Sequence, residues 1–108
     1  MTGIELIAKE RQEQIEKHGR TIISDVFENR DGDLAKGAIT LIETFDYPFQ
    51  GSFPQQWNID VCRRMSNKPY KQRLIIAGAL IAAEIDRMLH IERELSDKTE
   101  QHDKIRHY

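Results

Sequence analysis

Ten consecutive residues, Leu74-Ile75-Ile76-Ala77-Gly78-Ala79-Leu80-Ile81-Ala82-Ala83, carry no charge and no strongly polar side chain. That is about half the roughly 20 apolar residues needed to span a bilayer. Pro69 stands just upstream, where a first helical turn tolerates its missing N–H. The pattern predicts one long, largely buried helix from Pro69 to about Leu95. A helix apolar almost all round must be covered on several sides, so the rest of the chain has to supply that cover. Gly78, with Ala77, Ala79, Ala82 and Ala83, offers a surface on which neighbouring helices can approach closely.

The other segments read as helices too. Residues 3 to 18 place Ile4, Ile7, Ala8, Arg11, Gln14, Ile15 and His18 on one face at helical spacing, and Gly19 is a natural stop. Arg11, Gln14 and His18 sit where Leu or Val would be expected, which implies either an exposed end or a polar site; the exposed end is the favoured reading. Residues 20 to 31 read as a connection with a small apolar patch at Ile22, Ile23, Val26 and Phe27. A second helix is expected from Asp31-Gly32-Asp33, whose acids suit a helix N-terminus, to about Phe45. Residues 46 to 68 read as loop, with a short helix around Ile59 to Met65. Five of the chain's eight aromatic residues fall between Phe45 and Trp57. Beyond Glu92 the sequence is nearly all polar. The expected fold is an all-α bundle of three to four helices, one domain over 1–95 with a polar tail over 96–108.

A chain of 108 residues is long enough for one such domain. The formal charge of -2 disfavours a nucleic-acid binder driven by overall phosphate attraction. The single cysteine, Cys62, excludes an internal disulfide and fits a reducing compartment. The first residues lack the basic and apolar segments of a signal peptide, so a cytoplasmic protein with no membrane partner is expected. Phosphate loops, paired CxxC and HExxH are absent from the sequence.

Glu84 is the residue that most needs a partner. Placed beside Ala77, Leu80, Ile81 and Met88, its carboxylate costs several kcal/mol unless it is paired or bound to metal. One reading is a salt bridge to Lys36, Arg11 or Arg87. The other gathers Glu84 with Glu10 and Glu13, one turn apart on the first helix, and Asp33 on the second. Such an oxygen-rich set suits Mg²⁺ or Mn²⁺. Arg63, Arg64, Lys68, Lys71 and Arg73 form a basic cluster, either solvated charge or an anion site. Trp57 and Tyr47 can stack on a base or close the end of the core.

Ile4 to Gln14 (IELIAKERQEQ), Gly32-Asp33-Leu34-Ala35-Lys36, Tyr47-Pro48-Phe49, Lys68-Pro69 and Arg73 to Arg87 together resemble a family of small phage and prophage proteins. These are the MazG-like nucleotide pyrophosphohydrolases, or dATP/dGTP diphosphohydrolases. The resemblance covers roughly residues 3 to 90. It implies an all-α bundle, often oligomeric, that uses Mg²⁺ to split nucleoside triphosphates into monophosphate and pyrophosphate. Glu10 and Glu13 match the family's Glu-x-x-Glu, and Asp33 matches the last acid of its Glu-x-x-Asp. Arg30 stands where that second motif begins, and Asp25-Val26-Phe27-Glu28-Asn29-Arg30 lacks the His common in the phage-type proteins. By this resemblance Glu10, Glu13, Asp33 and Glu84 would hold metal, with Glu10 and Glu13 catalytic. Lys36, Trp57, Lys68, Lys71 and Arg73 would bind substrate. Two alternatives remain open: a non-catalytic helical oligomer or partner-binding protein of the same descent, and a DNA-associated regulator using the Arg63 to Arg73 patch. Three helices barely cover Leu74 to Ala83, so a homo-oligomer is expected.

Overall fold

A computed structural model describes residues 1–43 and 52–106, with side chains to residue 98. The order is α1 (Gly3–His18), α2 (Ile22–Glu28), α3 (Asp33–Ile42), α4 (Ile59–Ser66) and α5 (Tyr70–Arg106). The architecture is all-helical, as expected. The proposed end of the second helix at Phe45, and Tyr47, lie outside the described residues.

Local chemistry sets each boundary. Thr2 caps α1 through a capping box: its hydroxyl accepts from the Glu5 N–H at 3.2 Å, while the Thr2 N–H donates to Glu5 Oε1 at 3.1 Å. These bonds hold the Glu5 carboxyl below its ordinary pKa. Gly19 ends the helix in the left-handed region at φ +63°, a conformation that a side chain would disfavour. Thr21 then caps α2 by accepting from Ser24 N–H at 3.2 Å. Asn58 caps α4, its side-chain oxygen accepting from the N–H groups of Asp60 and Val61.

Two expectations change. The connection expected at residues 20–31 contains the seven-residue helix α2, which packs on α5. The long helix continues past Leu95, through the stretch expected as a tail, to Arg106. At 37 residues it is about 55 Å long. No helix among the described residues is long and apolar enough to cross a membrane.

The core gathers Leu34, Ala38 and Leu41 of α3, Cys62 and Met65 of α4, and Ile76, Ala77, Leu80 and Ala83 of α5, with Phe53 closing it. Burial pushes the Cys62 thiol pKa up, which keeps it protonated and unreactive. Two glycines set close approaches. A Cβ at Gly78 would lie 2.6 Å from Ile7 Cδ1, so α1 crosses α5 where the side chain is missing. A Cβ at Gly37 would lie 2.3 Å from the Trp57 ring, so the indole lies against the α3 backbone.

Arg73 is the largest fully buried side chain, 1% exposed. Its Nη1 donates to the Leu41 carbonyl at 2.8 Å and its Nε to the Lys68 carbonyl at 3.2 Å. The guanidinium also lies over the Tyr70 ring. It thereby satisfies carbonyls at the C-terminal end of α3 and at the start of α5. Cover of α5 is nonetheless one-sided. Leu74, Ile81, Ile85 and Met88 remain 41–52% exposed, leaving an apolar stripe that α1, α2 and α3 do not reach.

Candidate functional site

A groove runs along α1, with α4 and the first turns of α5 as its other wall. Its central cavity, about 480 Å³, is lined by Glu10, Glu13, Gln14, Arg20, Arg64 and Lys68, among others. An adjoining cavity of about 270 Å³ shares Glu10, Glu13 and Lys68 and adds Lys9 and Gln72. At the other end a polar cavity of about 230 Å³ shares His18, Arg20 and Val61 and reaches Asp25, Asn29 and Trp57.

The spacing of Glu10 and Glu13 puts both carboxylates on one side of α1. Both are half-buried, and among the described residues neither forms an ion pair within 4.0 Å. Two carboxylates therefore share one groove with Lys68, Arg64 and Arg20. An acidic pair beside a basic set can serve a metal-bound anion, the cation meeting the acids and the anion meeting the bases.

The other expected ligands are placed elsewhere. Asp33 Oδ2 accepts from Gln56 Nε2 at 2.8 Å. Glu84 forms an ion pair and hydrogen bond with Arg87 one turn along α5, both side chains 12% exposed. Of the two readings of Glu84, the geometry supplies the salt bridge. Among the described residues no group of three or more His, Cys, Asp or Glu side chains is placed to hold a metal ion. Among the described residues the four-carboxylate cage is thus not assembled; of its members only Glu10 and Glu13 share a cavity. Such a pair fits Mg²⁺, which usually binds one or two carboxylates and keeps waters and substrate phosphates as its other ligands.

The basic residues divide in the same way. Lys68 lines the groove. Lys36 and Lys71 are exposed and do not line it. Arg73 is engaged by the two carbonyls described above. Trp57 lies against α3 and stacks with Phe53, centroids 6.1 Å apart, while the Arg20 guanidinium lies 5.2 Å from its ring centroid. Its Nε1 donates to Asn29 Oδ1 at 2.9 Å.

The expected exposed end of α1 holds for His18, which is exposed, but Arg11 and Gln14 are buried, 8% and 5% exposed. Arg11 Nη1 donates to the Arg20 carbonyl at 3.0 Å, and its Nη2 lies 3.6 Å from Asp86 Oδ2. Asp25 on α2 is 1% exposed and accepts from Asn29 Nδ2 at 3.0 Å through Oδ1. Burial raises the Asp25 pKa, opposed by the Asn29 hydrogen bond and by the charges of Arg11 and Arg20. The polar interruption of the α1 stripe was the available signal for this buried cluster. Asp25 gave none, since its burial depends on a helix too short to announce itself.

Comparison with protein-family models, with curated proteins and with solved structures returns no match.

Proposed function

We propose that the groove binds a nucleoside triphosphate and hydrolyses it to the nucleoside monophosphate and pyrophosphate. The observation that carries this reading is the placement of Glu10 and Glu13 in one cavity with Lys68, Arg64 and Arg20. The MazG-like sequence resemblance of residues 3 to 90 supports it. Glu10 and Glu13 would hold Mg²⁺ or Mn²⁺, which when bound polarises the phosphates and lowers the pKa of a coordinated water. Lys68, Arg64 and Arg20 neutralise the triphosphate, the arginines through their planar forks. A carboxylate oxygen of the acidic pair left free of the ion would take a proton from the attacking water as that water's oxygen bonds to the α-phosphorus. The bond from that phosphorus to the bridging oxygen breaks, and pyrophosphate leaves with the electron pair.

The test is pyrophosphate release from common nucleoside and deoxynucleoside triphosphates with Mg²⁺ or Mn²⁺. Glu10→Gln and Glu13→Gln should each lower the rate by at least about 100-fold while leaving the thermal midpoint within a few degrees. A wild-type protein inert to every nucleotide and metal tested would overturn the proposal.

A second reading, a non-catalytic helical oligomer, is favoured by a different observation. Leu74, Ile81, Met88 and Leu95 recur every seven residues on α5 and are 41–59% exposed, a spacing that suits a partner helix. A homo-oligomer through this stripe is compatible with either reading. A sizing measurement giving a monomer of 12.6 kDa would contradict it. The lone buried Cys62 suits a reducing compartment such as the cytoplasm.

A further inference from the structure

Arg20 lies in the short link between α1 and α2, yet both of its backbone groups are bonded. Its N–H donates to the Gln14 carbonyl at 3.1 Å, and its carbonyl accepts from Arg11 Nη1 at 3.0 Å. The side chain is placed as well, because the guanidinium lies over the Trp57 ring, 5.2 Å from the centroid. Trp57 is itself held by the α3 backbone at Gly37, by Phe53, and by Asn29 Oδ1, which accepts from its Nε1. A link residue tied at its N–H, its carbonyl and its side chain has little freedom left to lose on binding a ligand.

The donors of that guanidinium are unspent. Among the described residues it forms no ion pair within 4.0 Å and no hydrogen bond; the buried Asp25 carboxyl feels its charge without pairing with it. Stacking occupies the face of the guanidinium and leaves its N–H fork for phosphate oxygens. Of the cations in the central cavity, Arg20 is half-buried, whereas Arg64 and Lys68 are exposed. A less hydrated cation attracts an anion more strongly. Arg20 also lines the polar end of the groove and Lys68 the opposite end, so the two flank the cavity that holds Glu10 and Glu13. Trp57 lines the polar end but not that central cavity. Its influence on an anion there runs through Arg20.

We propose that Trp57 is a positioning residue, whose ring pre-sets Arg20 as the fixed contact for one end of a polyphosphate chain. The inference rests on the reading of the groove as a triphosphate site and adds how that site holds its ligand. It replaces the expected role of Trp57 as a direct substrate contact with one exerted through Arg20.

The experiment is calorimetric binding of inorganic tripolyphosphate to the intact protein at one fixed Mg²⁺ concentration, so that no base contributes. Arg20→Gln should weaken binding at least about tenfold. Trp57→Leu should weaken it about three- to tenfold. Trp57→Phe keeps a ring face but loses the Asn29 hydrogen bond, and should stay within about twofold of wild type. Trp57→Leu added to Arg20→Gln should cost no more than about a further twofold. A merely structural Trp57 would show losses in the Phe and Leu variants alike that add to the loss in Arg20→Gln, and that result overturns the proposal. Unaltered binding in Arg20→Gln, or no binding in wild type, overturns it as well. If Trp57→Leu does not fold, the fluorescence of Trp57, the sole indole, decides. Tripolyphosphate should change the wild-type emission and, at saturation, leave that of Arg20→Gln unchanged; a change that survives in Arg20→Gln, or none in wild type, overturns the proposal. Pyrophosphate release with additive Trp57 and Arg20 effects would sink this inference alone. The expected tripolyphosphate pattern in a protein that never releases pyrophosphate would sink the hydrolase reading alone.

Discussion

Replacing Gly37 by alanine tests how the only tryptophan in the chain is held. The added Cβ would lie 2.3 Å from the Trp57 ring, about 1.1 Å inside the 3.4 Å at which ordinary van der Waals contact begins. Alanine favours the helix by up to about 1 kcal/mol over glycine. Overpacking of a tight contact costs roughly 1–3 kcal/mol, and here an indole packed with Phe53 and bonded to Asn29 must move away from α3. The steric cost wins, with a net destabilisation of about 1–2 kcal/mol and a fall in Tm of roughly 5–10 °C. Trp57 is the sole indole, so its fluorescence reports the displacement directly and urea unfolding gives the energy. Gly3→Ala is the internal control. Nothing lies within 4 Å of its Cβ, so this change should be neutral or slightly stabilising. If Gly37→Ala matched the control in Tm and in emission maximum, Trp57 would not be packed on α3, and the wall of the polar cavity would be misplaced.

Arg73→Met keeps much of the volume but removes the donors to the Leu41 and Lys68 carbonyls; urea unfolding should show a loss of about 2–5 kcal/mol, and a loss under 1 kcal/mol would contradict the structural role assigned to this arginine. Asp25 should leave a signature in the pH dependence of stability. Its folded pKa is raised above the ordinary 3.8, chiefly by burial. Its stabilising contribution is therefore full below the unfolded carboxyl range and is lost as pH rises through the folded value. Asp25→Asn should gain stability relative to wild type as pH rises from about 4 to 7, and parallel curves would count against a buried, desolvated carboxyl.

The parts of the fold legible in the sequence were those with local punctuation. Gly3–His18 is bounded by Thr2, Glu5 and Gly19, and α5 opens after Pro69 with an apolar run that nothing but a covered helix explains. The helix α2 escaped because it is seven residues long, and its only buried residue is an aspartate. In the site, the Glu10 and Glu13 pair is legible from its helical spacing, and Arg64 and Lys68 from their place in one basic cluster. Arg73 falls among the expected phosphate binders because a basic cluster in sequence carries no record of the carbonyls that bury one member. Glu84 looked ambiguous for a similar reason, since its neighbour Arg87 supplies a charge only when both rotamers meet. Arg11 and Gln14 did interrupt an apolar stripe. An interrupted stripe has two physical causes, though, and only the position of α2 and the cavity beside it distinguishes them.

The central claim, that Glu10, Glu13 and Lys68 act on one metal-bound triphosphate, is tested most directly by calorimetric binding of a non-hydrolysable triphosphate with and without Mg²⁺. Wild type should bind at least about tenfold more tightly with Mg²⁺ present. Glu10→Gln with Glu13→Gln should abolish that metal dependence, and Lys68→Gln should weaken binding in both conditions. Metal-independent binding in wild type, or metal dependence that survives the paired glutamate substitutions, would contradict the account.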